Sequence, residues 1–173
     1  MSIFRYLPQC FILALFLAVS GCSKSVTYPQ VAWWYDIEFE ADQTNIRGLD
    51  LNIFGKDWSR AKLLSADDLK GKITQRSLQT FLESDFRFEN KMDLNSDSHM
   101  EDIVVGVYEK ENSAKGKFLA IFKDAVPIAV MEAEGAAGFS ALLIHQNRLR
   151  WYHCLECGDF ETIVWTGTNY FLE

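Results

Sequence analysis

Asp102-Ile103-Val104-Val105-Gly106-Val107-Tyr108-Glu109, followed beyond the turn residues Glu111-Asn112-Ser113 by Gly116-Lys117-Phe118-Leu119-Ala120-Ile121-Phe122-Lys123, decides the fold class of this 173-residue chain. Each run reads as a strand bounded by residues that favour turns. Further strands are expected at Phe86–Met92, Ile128–Glu132, Phe139–His145, Leu149–Cys154, Phe160–Thr166 and Tyr170–Leu172, with turn signals at Lys123-Asp124, Gln146-Asn147 and Gly167-Thr168-Asn169. Connections of two to six residues between so many strands leave no room for crossover helices, so neighbouring strands must run antiparallel, as a meander.

Upstream, Val31, Trp33, Tyr35, Ile37 and Phe39 alternate with Ala32, Trp34, Asp36, Glu38 and Glu40, the period of a half-buried strand. Leu49, Leu51 and Ile53 continue the pattern after a turn at Asn45 to Gly48, which predicts a hairpin. Between these regions the spacing becomes helical over Ser59–Lys70 and Thr74–Ser84, with Leu78, Phe81 and Leu82 on one face and Thr74 or Ser77 available as caps. The expected architecture is therefore α+β, mostly β: an antiparallel meander sheet or partly closed barrel with one or two short helices, forming one domain over 31–173.

The chain opens with Met1-Ser2-Ile3-Phe4-Arg5, an apolar run from Cys10 to Val19, and the small residues Ser20 and Gly21 before Cys22. A basic start, a short apolar centre and a small-residue exit have the form of a secretory signal peptide. A membrane span needs about 20 apolar residues, and this run is roughly half that. Val19-Ser20-Gly21-Cys22 resembles the bacterial lipobox. That resemblance implies removal of residues 1–21, acylation of Cys22 and a lipid-anchored product. Ser23 lacks the aspartate associated with inner-membrane retention, which points to the periplasmic face of the outer membrane. Residues 22–30 then form the lipidated tether, whose eight residues after Cys22 reach at most about 28 Å.

Removing residues 1–21 takes away one charge, so 17 basic residues less Arg5 leave 16 against 24 acidic, a net charge of −8 on 152 residues. That acidity argues against nucleic acid or an anionic lipid surface as partner, since both need clustered Lys and Arg. The partners expected are the membrane, through the lipid anchor, and an unidentified protein or cell-wall polymer.

The strongest motif in the domain is Asp93-Leu94-Asn95-Ser96-Asp97-Ser98-His99-Met100-Glu101-Asp102. Oxygen groups at alternate positions of a tight loop can converge on Ca²⁺, which takes six to eight oxygen ligands. Asp93, Asn95 and Asp97 would offer side chains and His99 its carbonyl, with Glu101 or Asp102 as a further ligand. Over about 14 residues the segment is similar to the calcium loop of FG-GAP and VCBS repeats, Asp-x-Asn-x-Asp-Gly-x-x-Asp followed by an aliphatic strand. Ser98 stands at the glycine position, and one residue is inserted before the strand. The resemblance implies a structural calcium ion. The alternative reading is a solvated turn whose Asp and Asn side chains bond the backbone. An EF-hand does not fit, because Val104 occupies the position of the bidentate glutamate.

Cys154 and Cys157 remain after Cys10 and Cys22 are accounted for, and in an oxidising compartment they are expected to pair with each other. Their Cys-x-x-Cys spacing also suits thiol-disulfide exchange, but it lies between two expected strands rather than at a helix start. Zinc would need two more ligands from His99, His145 and His153. Gly138-Phe139-Ser140-Ala141-Leu142 lacks the second glycine of a nucleophile elbow. Consecutive Trp33 and Trp34 cannot face the same side of a strand, which nominates Trp34 for an exposed binding face. The leading expectation is a non-enzymatic binding or envelope-support module. Its alternatives are a periplasmic enzyme, by thiol exchange or by metal-assisted hydrolysis at the Asp93 loop, and an inhibitor or immunity protein of a periplasmic enzyme.

Overall fold

A computed structural model describes residues 37–153 and 158–173. Its fold is α+β and mostly β, as the sequence predicts. Among the described residues, eleven strands form antiparallel sheets of two, five and four strands, all open, with one α-helix. The strands are β1 (Asn45–Ile46), β2 (Leu49–Asp50), β3 (Trp58–Leu63), β4 (Glu89–Met92), β5 (Glu101–Lys110), β6 (Lys115–Lys123), β7 (Val126–Glu134), β8 (Ala141–His145), β9 (Arg148–Tyr152), β10 (Phe160–Trp165) and β11 (Tyr170–Leu172). The helix, α1, spans Gln75–Glu83.

The two runs that decide the class become β5 and β6, the centre of the five-stranded sheet, ordered β3-β5-β6-β7 with β4 also paired to β5. Their alternation places apolar residues on both faces. Ile103, Val105, Val107, Leu119 and Ile121 enter a core with Leu78 and Phe81 of α1 and with Leu142, Leu149 and Trp151 of the second sheet. Val104, Tyr108, Phe118, Ala120 and Phe122 face the other way, beneath Ile46, Leu51, Phe54 and Trp58. A sheet buried on both faces makes three layers: the β1–β2 hairpin and its following 3-10 turn, the central sheet, and α1 with the four-stranded sheet β11-β10-β9-β8.

Local chemistry fixes the connections. Two-residue hairpin loops want positive φ at both central residues. Arg47 and Gly48, Asp124 and Ala125, and Gln146 and Asn147 all have it. Helix α1 starts where Thr74 accepts a hydrogen bond from the Ser77 N–H at 3.1 Å, leaving Leu78 and Phe81 on its buried side.

Three expectations are corrected. Ser59–Lys70 is not helical: it forms β3 and then a 3-10 turn over Ala66–Leu69. A bulge between Trp58 and Arg60 shifts the register, so that Trp58 and Ala61, three apart, are both buried and the period-two signal of a strand is broken. The stretch Leu51–Ile53 is a 3-10 turn rather than a continued strand, because Asp50 caps it by accepting from Asn52 N–H at 2.8 Å. Ile37 to Phe39 is not part of a strand; Phe39 N–H donates to the Ala137 carbonyl at 2.9 Å instead.

Candidate functional site

The Asp93 loop joins β4 to β5, and its side chains hold its own backbone. Asp93 accepts from the N–H groups of Asp97 and Ser98 at 3.1 and 2.9 Å. Asn95 accepts from Asp97 N–H at 3.0 Å, and Asp97 from His99 N–H at 2.9 Å. Ser96 and Ser98 take positive φ of 62° and 68°. Ser98 thus adopts the left-handed turn that glycine supplies in the calcium loop the sequence resembles, at the usual cost of a side chain there. The Lys123 ammonium, arriving from the end of β6, forms an ion pair with Asp97. That contact, with the His99 N–H bond second, holds the Asp97 carboxyl down at about 2. The His99 ring bonds the Asp97 carbonyl, Nδ1 to O, at 3.1 Å.

Asp93, Asn95, Asp97 and His99 are therefore brought together. Glu101 and Asp102 are not part of the same group, and the pleat explains why. They open β5 opposite Met92 and Lys91, so their side chains leave on opposite faces. Glu101 turns inward and is fully buried; its carboxyl accepts from Leu94 N–H at 2.8 Å and from the Tyr170 hydroxyl at 3.2 Å. Burial and this neighbour both raise the Tyr170 pKa. Asp102 faces the other side, where it meets Lys91 at 2.9 Å and Arg47 at 3.6 Å. Among the described residues no group of three or more His, Cys, Asp or Glu side chains is placed to hold a metal ion.

Cys22, Trp34, Cys154 and Cys157 lie outside the described residues, so lipidation, the tryptophan face and the disulfide remain expectations. His153 and Asp159, on either side of that cysteine segment in sequence, are bonded, His153 N–H to the Asp159 carbonyl at 3.0 Å. The His153 ring meets Glu161 through Nε2 at 2.9 Å and lies against Trp151, with centroids 4.4 Å apart. Nearby Ser140 is fully buried and accepts the Trp151 indole N–H at 2.7 Å, so its hydroxyl serves packing. Lys117 donates to the Phe139 carbonyl at 3.1 Å, and burial lowers its pKa.

The structure adds a feature that the sequence reading missed. A cleft of about 380 Å³ runs between β7, the edge of the central sheet, and the β10–β11 turn at the edge of the second sheet. Ala129 and Met131 line one wall, Trp165 and Tyr170 the other, and Asn95 of the loop closes one end. Trp165 and Tyr170 pack ring to ring at 4.7 Å. Only the pairing of two sheets separated in sequence creates this space, so no local motif announces it.

No family model, curated protein or solved structure matches the chain. The functional reading consequently rests on its own residues.

Proposed function

We propose that the chain is an outer-membrane lipoprotein, anchored through Cys22 and facing the periplasm, whose β-rich domain is a non-enzymatic binding module. The lipobox-like Val19-Ser20-Gly21-Cys22 carries the anchoring. The use of polar groups in the domain supports the rest. Its strongest motif spends Asp93, Asn95 and Asp97 on loop N–H groups and on Lys123, and the Ser140 hydroxyl is taken by Trp151. Among the described residues no helix is long and apolar enough to cross a membrane, a finding that does not bear on strands. A lipid anchor at Cys22 supplies attachment by another route, and several acyl chains make it durable.

Metabolic labelling with a clickable fatty acid, followed by membrane fractionation, tests the anchor. Wild type is expected to carry label and sediment with outer membranes, and Cys22→Ser to lose both. A labelled Cys22→Ser variant would refute the assignment. In-envelope crosslinking tests the binding role, which is abandoned if the anchored protein yields no crosslinked partner.

Calcium at the Asp93 loop belongs to the same proposal as a stabilising ion. Because Lys123 already neutralises Asp97, an incoming cation must displace that ammonium. Calcium is therefore expected to raise the melting temperature more in Lys123→Met than in wild type, and EDTA to reverse the gain. Identical melts of both proteins with calcium and with EDTA would dismiss the ion. Pairing of Cys154 with Cys157 predicts an unreduced mass lower by two hydrogens.

A further inference from the structure

Among the described residues the outer backbone of β7 is an unused ladder. Gly135 N–H donates to the Lys115 carbonyl at 2.9 Å, and the register pairs Ala133 with Lys117, Met131 with Leu119 and Ala129 with Ile121. In an antiparallel pair the bonded residues alternate. Ala129, Met131 and Ala133 thus direct their N–H and C=O groups to β6, while Val130, Glu132 and Glu134 direct theirs away from the sheet. Among the described residues no backbone group bonds those three on the outer side. Beside this edge lies the cleft walled by Met131, Trp165 and Tyr170. At the start of β7, Pro127 and a bulge between Ile121 and Phe122 interrupt the ladder, which confines the open part to 129–134.

Charge restricts what can lie there. Glu132 and Glu134 stand on the open stretch, and among the described residues one lysine, Lys110, serves both at 3.1 and 3.8 Å, which leaves one negative charge over. We infer that β7 captures an extended, cationic segment of a partner protein by strand addition, its backbone completing the ladder at Val130, Glu132 and Glu134, alternate apolar side chains entering the cleft, and lysine or arginine facing the glutamates. This rests on the binding-module reading and gives it a place and a ligand chemistry.

The test uses the full chain and a ten-residue peptide of alternating lysine and valine, with a glutamate-for-lysine version as its counterpart. In hydrogen exchange, the amides of Val130, Glu132 and Glu134 are expected to exchange freely in the protein alone and to slow when the lysine peptide is added. Glu132→Pro removes an outward N–H without touching the β6 ladder and should weaken peptide binding about tenfold or more. Glu132→Gln, which keeps the N–H, should weaken it far less, and the glutamate peptide should bind about tenfold more weakly than the lysine one. Circular dichroism melts confirm that each variant is folded. The inference is overturned if those amides are already protected in the protein alone, if Glu132→Pro binds the lysine peptide as wild type does, or if both peptides bind equally. If it fails while in-envelope crosslinking still yields a partner, binding occurs on another surface; without any crosslinked partner, the binding-module reading itself goes.

Discussion

Glu101 is the residue on which the loop and the two sheets meet. Its buried carboxyl satisfies Leu94 N–H at the base of the loop and the Tyr170 hydroxyl from β11. Replacing it by alanine leaves both donors without an acceptor and opens a void. An unsatisfied buried donor costs about 1–3 kcal/mol, and these two are part-buried, so Glu101→Ala should lose about that much or somewhat less in urea unfolding. Glu101→Asp, which shortens the side chain but keeps an acceptor, should lose less; equal losses would show that the two hydrogen bonds contribute nothing. Asp97 behaves differently because it is exposed. With its carboxyl held at about 2, below the ordinary value near 3.9, its contribution is fully present above that ordinary value and is lost as pH falls through the folded one. The His99 amide, which donates to Asp97, should report a titration midpoint near 2 in nuclear magnetic resonance. In Lys123→Met the midpoint should rise toward the ordinary range, and an unmoved midpoint would remove Lys123 as the main cause. The alternate oxygens of this loop and its turn at Ser98 were legible in the sequence. Which of the adjacent Glu101 and Asp102 turns inward was not, since a shift of one residue in the start of β5 exchanges their faces.

At the scale of elements, turns were read more surely than the segments between them. The loops at 124–125 and 146–147 take positive φ because a two-residue hairpin between right-twisted strands requires it. Ala125, at φ 66°, has no side-chain chemistry suited to that region, which costs an ordinary residue about 1–2 kcal/mol. Ala125→Gly should therefore stabilise the protein by about 1 kcal/mol or slightly less, the added freedom of the unfolded glycine taking back part of the gain. A destabilised Ala125→Gly would mean that the turn is not held in this conformation. Helix α1 was legible because its cap and stripe are local. The strand β3 was not, because its bulge sets Trp58 and Ala61 three residues apart on one face. The cleft beside β7 lay further beyond reach, since its walls come from residues 129–131 and 165–170. Periodicity reports the burial of a side chain but not the long-range pairing that places it.

At the scale of the molecule, the central sheet carries two cores on one set of strands. The core facing α1 includes Phe81, and the core under the β1–β2 hairpin includes Phe122, yet both are anchored on neighbouring positions of β5 and β6. Gly106 marks how closely these strands are fitted: a Cβ there would sit 2.5 Å from the Lys62 carbonyl and run into the Phe118 ring. Neither core can open while the other stays intact without exposing a face of the sheet that the remaining layer cannot cover. The two should then unfold as one unit, as small single domains usually do. Phe81→Ala and Phe122→Ala each remove a buried ring, 3% and 1% exposed, and should each cost about 3–5 kcal/mol. Tryptophan fluorescence draws on Trp58 in one core and Trp151 in the other, while far-ultraviolet circular dichroism follows the sheets. In urea both probes should give a single coincident transition for wild type and for each variant, with the midpoint moved to lower urea. If Phe122→Ala instead split the curve, with the fluorescence change leading and the sheet signal persisting, the hairpin layer would be a separate, weaker unit, and the shared strands would not couple the two cores.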